Sequence, residues 1–387
     1  MAVVYTKNQK RSIIIRAGLL GVLLIAIVIV IVLLVNSFGI KEGFNEITST
    51  YVNNYSISSE LNLKYYLKKD SNSIASNKDK LEKLYAESLD TIYELIDSKQ
   101  EYSNKNNIYY INNHPNETIE IDKTLYDVLK NIYDADSRFL LYGSLYQYWD
   151  SLYFSLEEKQ RDNLDPSYNL EYKNLIDEFV TNSINYISID FLEDNKIILN
   201  VSDEYNPIYQ DEYIEYIGLG YLTNMIIMDY IKACFIDNGY NDGYIISKDG
   251  YLLSFGGEHL SLYPLVTDIY NTYYAKVEIS NGNAYIGSYD YSINDSYRYY
   301  GTKYNETKVK RNQYINNDTG YQYDLGNSFY YKEGYLFDTY KEMIKLVNGD
   351  SFDLSYIIFN NDESNPKITT NVKTGVTFRN GIEVSYE

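Results

Sequence analysis

The chain has 387 residues, 45% of them hydrophobic, and a formal net charge of −20 at pH 7. That length suits one large domain or two smaller ones. So acidic a surface repels phosphate backbones and argues against a nucleic-acid partner, and the single cysteine, Cys234, excludes an intrachain disulfide. Tyrosine is the outlier, with 48 residues beside only five prolines. With abundant Asn, Ile and Lys this points to an AT-biased bacterial genome, so many of the tyrosines need no functional explanation.

The first 12 residues read as a basic cytoplasmic tail and 13–35 as a membrane-spanning signal anchor. Ala17 to Val35 is a run of 19 residues without charge, long enough to cross a bilayer as a helix. Lys7, Lys10, Arg11 and Arg16 precede it, so the basic side stays in the cytoplasm and the C-terminal mass is exported. Those four cations leave −24 for the remainder of the chain. A cleaved signal peptide is the competing reading, but Val35-Asn36-Ser37-Phe38 is a poor cleavage site. No cysteine follows the run that could carry a lipoprotein attachment. Residues 36–54 read as a juxtamembrane linker and 55–387 as one exported domain.

Tyr55 to Leu67 alternates as an opening strand, and Lys78 to Ile96 has the apolar stripe of an amphipathic helix. Asn106 to Asn113 is a short apolar island, and Thr118 to Ile121 is extended. Asp122 or Thr124 then caps a helix that Gly143 interrupts. A charged loop from Leu156 to Pro166 and a helix from Leu170 to Ser183 follow. Ser188 to Val201 is a hairpin turning near Glu193-Asp194-Asn195. Gly218 to Gly257 reads as a glycine turn, an apolar helix holding Cys234, a second glycine turn and a hairpin. Four strand-like segments between Ala275 and Ile315 suggest a meander. A helix from Tyr335 to Val347 and short strands after Leu354 close the chain. Helices mixed with mostly antiparallel strands make the fold class α+β.

A helix that begins behind closely spaced glycines can host an anion, because its free N–H groups and its dipole favour negative charge. That element order resembles the ApbE family, the FAD:protein FMN transferases. The resemblance runs from about Tyr55 to Asn360 and rests on several segments in one order. Phe139, Gly143 and Trp149 lie in a segment similar to F-D-x-T-x-G-P-L-x-x-L-W. Gly218 to Asp229, GLGYLTNMIIMD, lies over D-L-G-G-I-A-K-G-Y-A-V-D, with Gly239 ten residues beyond Asp229. Asn283 to Tyr291 resembles the A-x-A-T-S-G-D-Y segment. QYINNDTGY resembles H-I-I-D-P-x-T-G-Y and keeps Thr319 and Gly320. YLFDTYKEMIKLVNG resembles the helix that carries the family's metal ligands and keeps Asp338.

The resemblance implies a T-fold-related α+β domain of mixed helices and mostly antiparallel sheets. It further implies an exported, membrane-tethered bacterial enzyme that uses Mg2+ to move FMN from FAD onto a Thr or Ser of an exported acceptor protein. Carried over residue by residue, it places the FAD diphosphate near Gly218, Gly220 and Asn224, with Ser288 and Thr319 nearby, and Mg2+ at Asp338 with Glu342. Departures fall on polar positions. Asn224 stands where the family has Lys, Gly218 where it has Asp, Tyr221 where it has Gly, and Gln313 and Asn316 where it has His and Asp. Asp338 and Glu342 are spaced i, i+4 and could reach one cation, or could be a solvated pair beside Lys341 and Lys345. Ser288 reads more simply as a plain strand serine, Asp229 as a helical-surface or capping carboxylate, and Thr319-Gly320 as a turn. His114 and His259 have no ligand-spaced partner for zinc, and no G-x-S-x-G elbow supports a serine hydrolase. Two functions follow. One is an active flavin transferase. The other is a catalytically inactive ApbE-fold binding or scaffold protein, a pseudoenzyme, at the cell envelope.

Overall fold

The computed structural model describes residues 40–387 apart from 49–50, 55–56, 58, 70–72, 153–163, 209–212, 260–264, 268–272, 279–281, 289–299, 305–306, 361–365 and 380. The basic tail, the anchor expected at 13–35 and most of the charged loop after Leu156 lie outside the described residues. Among the described residues no helix is long and apolar enough to cross a membrane.

The helices are α1 (Ile74–Ile96), α2 (Ile108–Asn113), α3 (Lys123–Ala135), α4 (Arg138–Leu141), α5 (Gly143–Asp150), α6 (Leu170–Thr181), α7 (Thr223–Asp237) and α8 (Leu336–Asn348). The strands of the first half are β1 (Gly43–Ile47), β2 (Leu61–Leu67), β3 (Thr118–Glu120), β4 (Ile187–Phe191) and β5 (Lys196–Val201). Then come β6 (Gly243–Ser247), β7 (Tyr251–Ser254), β8 (Leu265–Thr267), β9 (Tyr273–Val277), β10 (Asn283–Ser288), β11 (Tyr300–Tyr304) and β12 (Thr307–Arg311). The last are β13 (Asn327–Glu333), β14 (Ser355–Asn360), β15 (Lys367–Thr370), β16 (Val376–Phe378) and β17 (Glu383–Tyr386).

A nine-stranded sheet in the order β1-β2-β6-β7-β10-β13-β14-β15-β17 organises the domain. It is antiparallel except for the β15–β17 pair. On one face lies the main core, to which α1, α7 and α8 contribute. On the other, Tyr274, Ala275 and Val277 of β9 pack on Tyr285, Phe329, Ile357 and Phe359, with Tyr274 stacked on Phe359 at 3.7 Å. α7 shows why a helix apolar on most sides must be central. It packs against α1, α8 and β7, and Met225, Ile227, Met228, Ile231 and Phe235 are buried.

Local chemistry sets many of the boundaries. Ser73 caps α1 by accepting from the Ser76 N–H, and Asp122 caps α3 by accepting from the Thr124 N–H at 2.7 Å. The β4–β5 hairpin turns at Asp194 and Asn195, both at positive φ, and such turns favour Asn and Asp. Asp229 accepts from the Leu336 and Phe337 N–H groups at 2.7 and 2.9 Å, which caps α8 from a neighbouring helix.

Three expectations change. The linker expected over 36–54 contains β1, which pairs with β2 at the sheet edge, and Thr48, Asn53 and Asn54 bond to Glu82 and Asp90 of α1. The folded domain therefore includes Gly43–Ile47. The apolar island at Asn106–Asn113 is the short helix α2, whose N–H of Tyr110 is capped by Asn107. The expected meander is not one unit. β9 joins a three-stranded sheet with β8 and β16, β10 enters the main sheet, and β11 and β12 pair with each other. β10 is buried along most of its length because both faces are covered, and that separates it from its sequence neighbours.

Gly143 sets the spacing between α5 and the 215–217 segment. A Cβ there would lie 2.5 Å from the Glu215 carbonyl oxygen and 2.8 Å from the Ile217 carbonyl carbon, both backbone atoms that no side-chain rotation can clear. Gly143→Ala should lower stability by about 1–3 kcal/mol in denaturant unfolding. A loss under roughly 0.5 kcal/mol would mean the two segments separate freely.

Candidate functional site

The predicted anion site lies where the 215–222 segment turns into α7, and three of its N–H groups are engaged. The Gly218 N–H donates to the Leu140 carbonyl at 3.0 Å. The Leu222 N–H donates to Leu219 at 2.9 Å, and the Thr223 N–H and hydroxyl both turn back to the Gly220 carbonyl. The N–H groups of Gly218, Leu222 and Thr223 thus already have backbone partners. Asn112 fixes the approach by bonding both the N–H and the carbonyl of Ile217 at 2.9 Å, and Gln147 accepts from the Glu215 N–H.

Aromatic rings occupy the space in front of these glycines. Gly220 has φ +50, and a Cβ on it would meet the Tyr146 ring at 2.7 Å. Tyr221 points inward, and its hydroxyl meets that of Tyr340, from α8, at 2.6 Å. Tyr146 and Tyr314 pack on the Tyr221 ring edge-on, and the Tyr251 hydroxyl donates to the Tyr221 carbonyl. Burial pushes the phenols of Tyr146, Tyr221 and Tyr340 well above their ordinary value, so they stay neutral donors and acceptors. Among the described residues, a cavity of about 20 Å3 adjoins Gly220, lined also by Tyr146, Trp149, Tyr221 and Gln313. That is the scale of one water molecule. Cofactor sites are usually several hundred Å3.

Asn224, the second residue of α7, is buried, and its amide donates to Asp249 Oδ2 at 2.9 Å and to Glu60 Oε2 at 3.2 Å. A dipole stands between two carboxylates where the family's Lys would bring a charge. Gln313 donates to the Asp249 carbonyl and to the Tyr251 hydroxyl, and its buried Oε1 has no partner. Ser288 ends β10 opposite Ser328, buried, with its hydroxyl unpartnered. It joins this cluster through Gly287, whose carbonyl accepts from Tyr314 at 3.0 Å.

The other candidates sit apart. Thr319 is exposed in a turn, where its hydroxyl accepts from the Tyr321 N–H at 3.3 Å. Asp338 is half exposed and pairs with Lys341 at 2.8 Å. Glu342 pairs with Lys345 at 2.7 Å and accepts from the Asp353 N–H. Burial opposes ionisation of Glu342, but the Lys345 and Asp353 bonds hold its carboxyl below the ordinary range. Each carboxylate thus has its own lysine. Among the described residues no group of three or more His, Cys, Asp or Glu could hold a metal ion.

Glu215 carries no signal in the sequence, yet it is buried beside Gly218, in the space a Cβ there would need. Burial raises its carboxyl from 4.5 to about 7, opposed by a Ser98 bond and Lys99. The folded state therefore holds the proton that the unfolded chain releases first. Stability should fall as pH rises from 4.5 to about 7, by up to roughly 3 kcal/mol, and stay low above. Glu215→Gln should flatten that slope and be the more stable protein above pH 7. Parallel pH–stability curves for variant and parent would show that Glu215 does not set it.

No protein-family model matches the sequence, and no curated protein matches it. Solved structures do. The ApbE protein of Thermotoga maritima matches 81% of this chain and 94% of its own, at 14% identity and a TM-score of 0.54. The flavin transferase ApbE of Vibrio cholerae matches 80% and 93%, at 11% identity and a TM-score of 0.50. At such identities the likeness is one of fold. The chain has a divergent ApbE-like fold, α+β with a mostly antiparallel sheet.

Proposed function

We propose that this chain is a non-catalytic binding or scaffold module built on the flavin-transferase fold. One observation carries the reading. Tyr221, Tyr146 and Tyr340 fill the space before the α7 glycines, and among the described residues the cavity that adjoins Gly220 is of about 20 Å3. The neutral Asn224 and the lysine-paired Asp338 and Glu342 support it. The fold alone favours the other reading, an active transferase moving FMN from FAD to an exported acceptor with Mg2+.

The run at 13–35 and the cations before it support a single-pass anchor with the domain outside the cytoplasm. Its partners are then envelope proteins rather than nucleic acid.

A flavin-fluorescence titration with FAD, with and without Mg2+, separates the two readings. The expected result is no saturable binding in either condition and no AMP release. Mg2+-dependent saturation at micromolar FAD would overturn the non-catalytic reading, and loss of that binding in Asp338→Ala would restore the metal role.

A further inference from the structure

The two edges of the nine-stranded sheet are finished differently. At one edge β1 covers part of its own main chain, because the Asn45 amide donates to the Lys41 and Gly43 carbonyls, both at 2.8 Å. At the other edge β17 runs parallel to β15, from Glu383 beside Lys367 to Tyr386 beside Thr370. The Glu387 N–H donates to the Thr370 carbonyl at 3.0 Å, so Glu387, Ser385 and Glu383 turn their main chain toward β15. Main-chain groups alternate sides along a strand, and those of Val384 and Tyr386 point away from β15. Among the described residues no strand pairs with β17 on that side. An uncovered edge of this kind is a template for another strand.

β17 also has two unlike faces. Ile382 and Val384 pack on the second core with Val376 and Phe378, and all four are only partly buried, whereas Ile368 of the neighbouring strand is fully so. Tyr386, two residues on, shares the Val384 face and is 50% exposed. The apolar layer therefore runs out at this edge with main-chain donors and acceptors still open beside it. The opposite face is polar and acidic. Ser385 donates to the Thr369 hydroxyl at 3.2 Å, Glu383 pairs with Lys367 at 2.9 Å while staying more than half exposed, and Glu387 is exposed. A second copy paired antiparallel over the whole of β17 would set Glu383 against Glu387 twice, about an axis at Ser385. Like charges directly opposite destabilise such a pair. A strand with cations at those positions meets opposite charge instead.

We propose that β17 takes up an extended segment of a partner protein as a further strand, one that alternates apolar residues on the Val384 face with lysine or arginine on the face of Glu383 and Glu387. Main-chain bonds to Val384 and Tyr386 give affinity, and the side chains on the two faces select the segment. The surface does not depend on the non-catalytic reading, since β17 contributes no residue to the site before α7.

Fluorescence anisotropy on the full-length protein tests this with three labelled peptides, Lys-Val-Lys-Val-Lys-Val-Lys, Glu-Val-Glu-Val-Glu-Val-Glu and Lys-Pro-Lys-Pro-Lys-Pro-Lys. The first should bind saturably and at least about tenfold more tightly than either of the others, the last of which has the same charge but cannot form a ladder. Tyr386→Pro removes one outward N–H and keeps the Glu387 bond to β15. It should weaken the first peptide about tenfold at an unchanged melting temperature. Glu383→Gln, at an exposed side chain, should weaken it about threefold, also without a change in melting. The proposal fails if the first peptide does not bind, if the proline peptide binds as tightly, or if either variant leaves the affinity unchanged. A concentration-dependent dimer that Tyr386→Pro dissolves would overturn it in favour of a second copy at this edge.

Discussion

The close approach of the 215–220 backbone to α5 fixes the centre of this protein. Gly143 lets the Glu215 and Ile217 main chain lie where a methyl group would otherwise sit. Asn112 and Gln147 then lock that segment with side-chain to main-chain bonds, and Leu140 takes the Gly218 N–H. With the segment fixed, Tyr146 covers Gly220 and Tyr221 has one direction to go, into the core. The start of α7, and with it Asn224 and the α8 cap from Asp229, follows from that placement.

Tyrosine suits the filling of such a space. A ring supplies volume and a hydroxyl supplies one directed bond without a charge to bury. Tyr221 and Tyr340 satisfy each other, Tyr314 reaches the Gly287 carbonyl, and Tyr142 reaches the Asn317 carbonyl. These neutral hydrogen bonds favour a rigid core.

Much of this was legible in the sequence. The Asp122 cap, the break at Gly143, the turn at Asp194 and Asn195, and the glycine-helix-hairpin order from Gly218 are local signals, and the structure has each of them. β1 was not, because GFNEI alternates weakly and becomes a strand only by pairing with β2. α2 depends on the Asn107 cap rather than on periodicity. The strands after Tyr273 could not be assigned to sheets, since membership depends on which faces are covered by distant segments. For the site, the order of segments was readable and the closure was not. Tyr221 is a single departure in sequence, and its effect comes from Tyr340, 119 residues away. Glu215 and Glu60 are likewise defined by what folds over them.

The nine-stranded sheet also decides how the domain is presented. β1 forms one edge and β17 the other, eight strand spacings apart and so separated by roughly 38 Å. Whatever precedes Gly43 and whatever follows Tyr386 leave from opposite rims. A protein fused after Tyr386 therefore starts at the rim opposite β1.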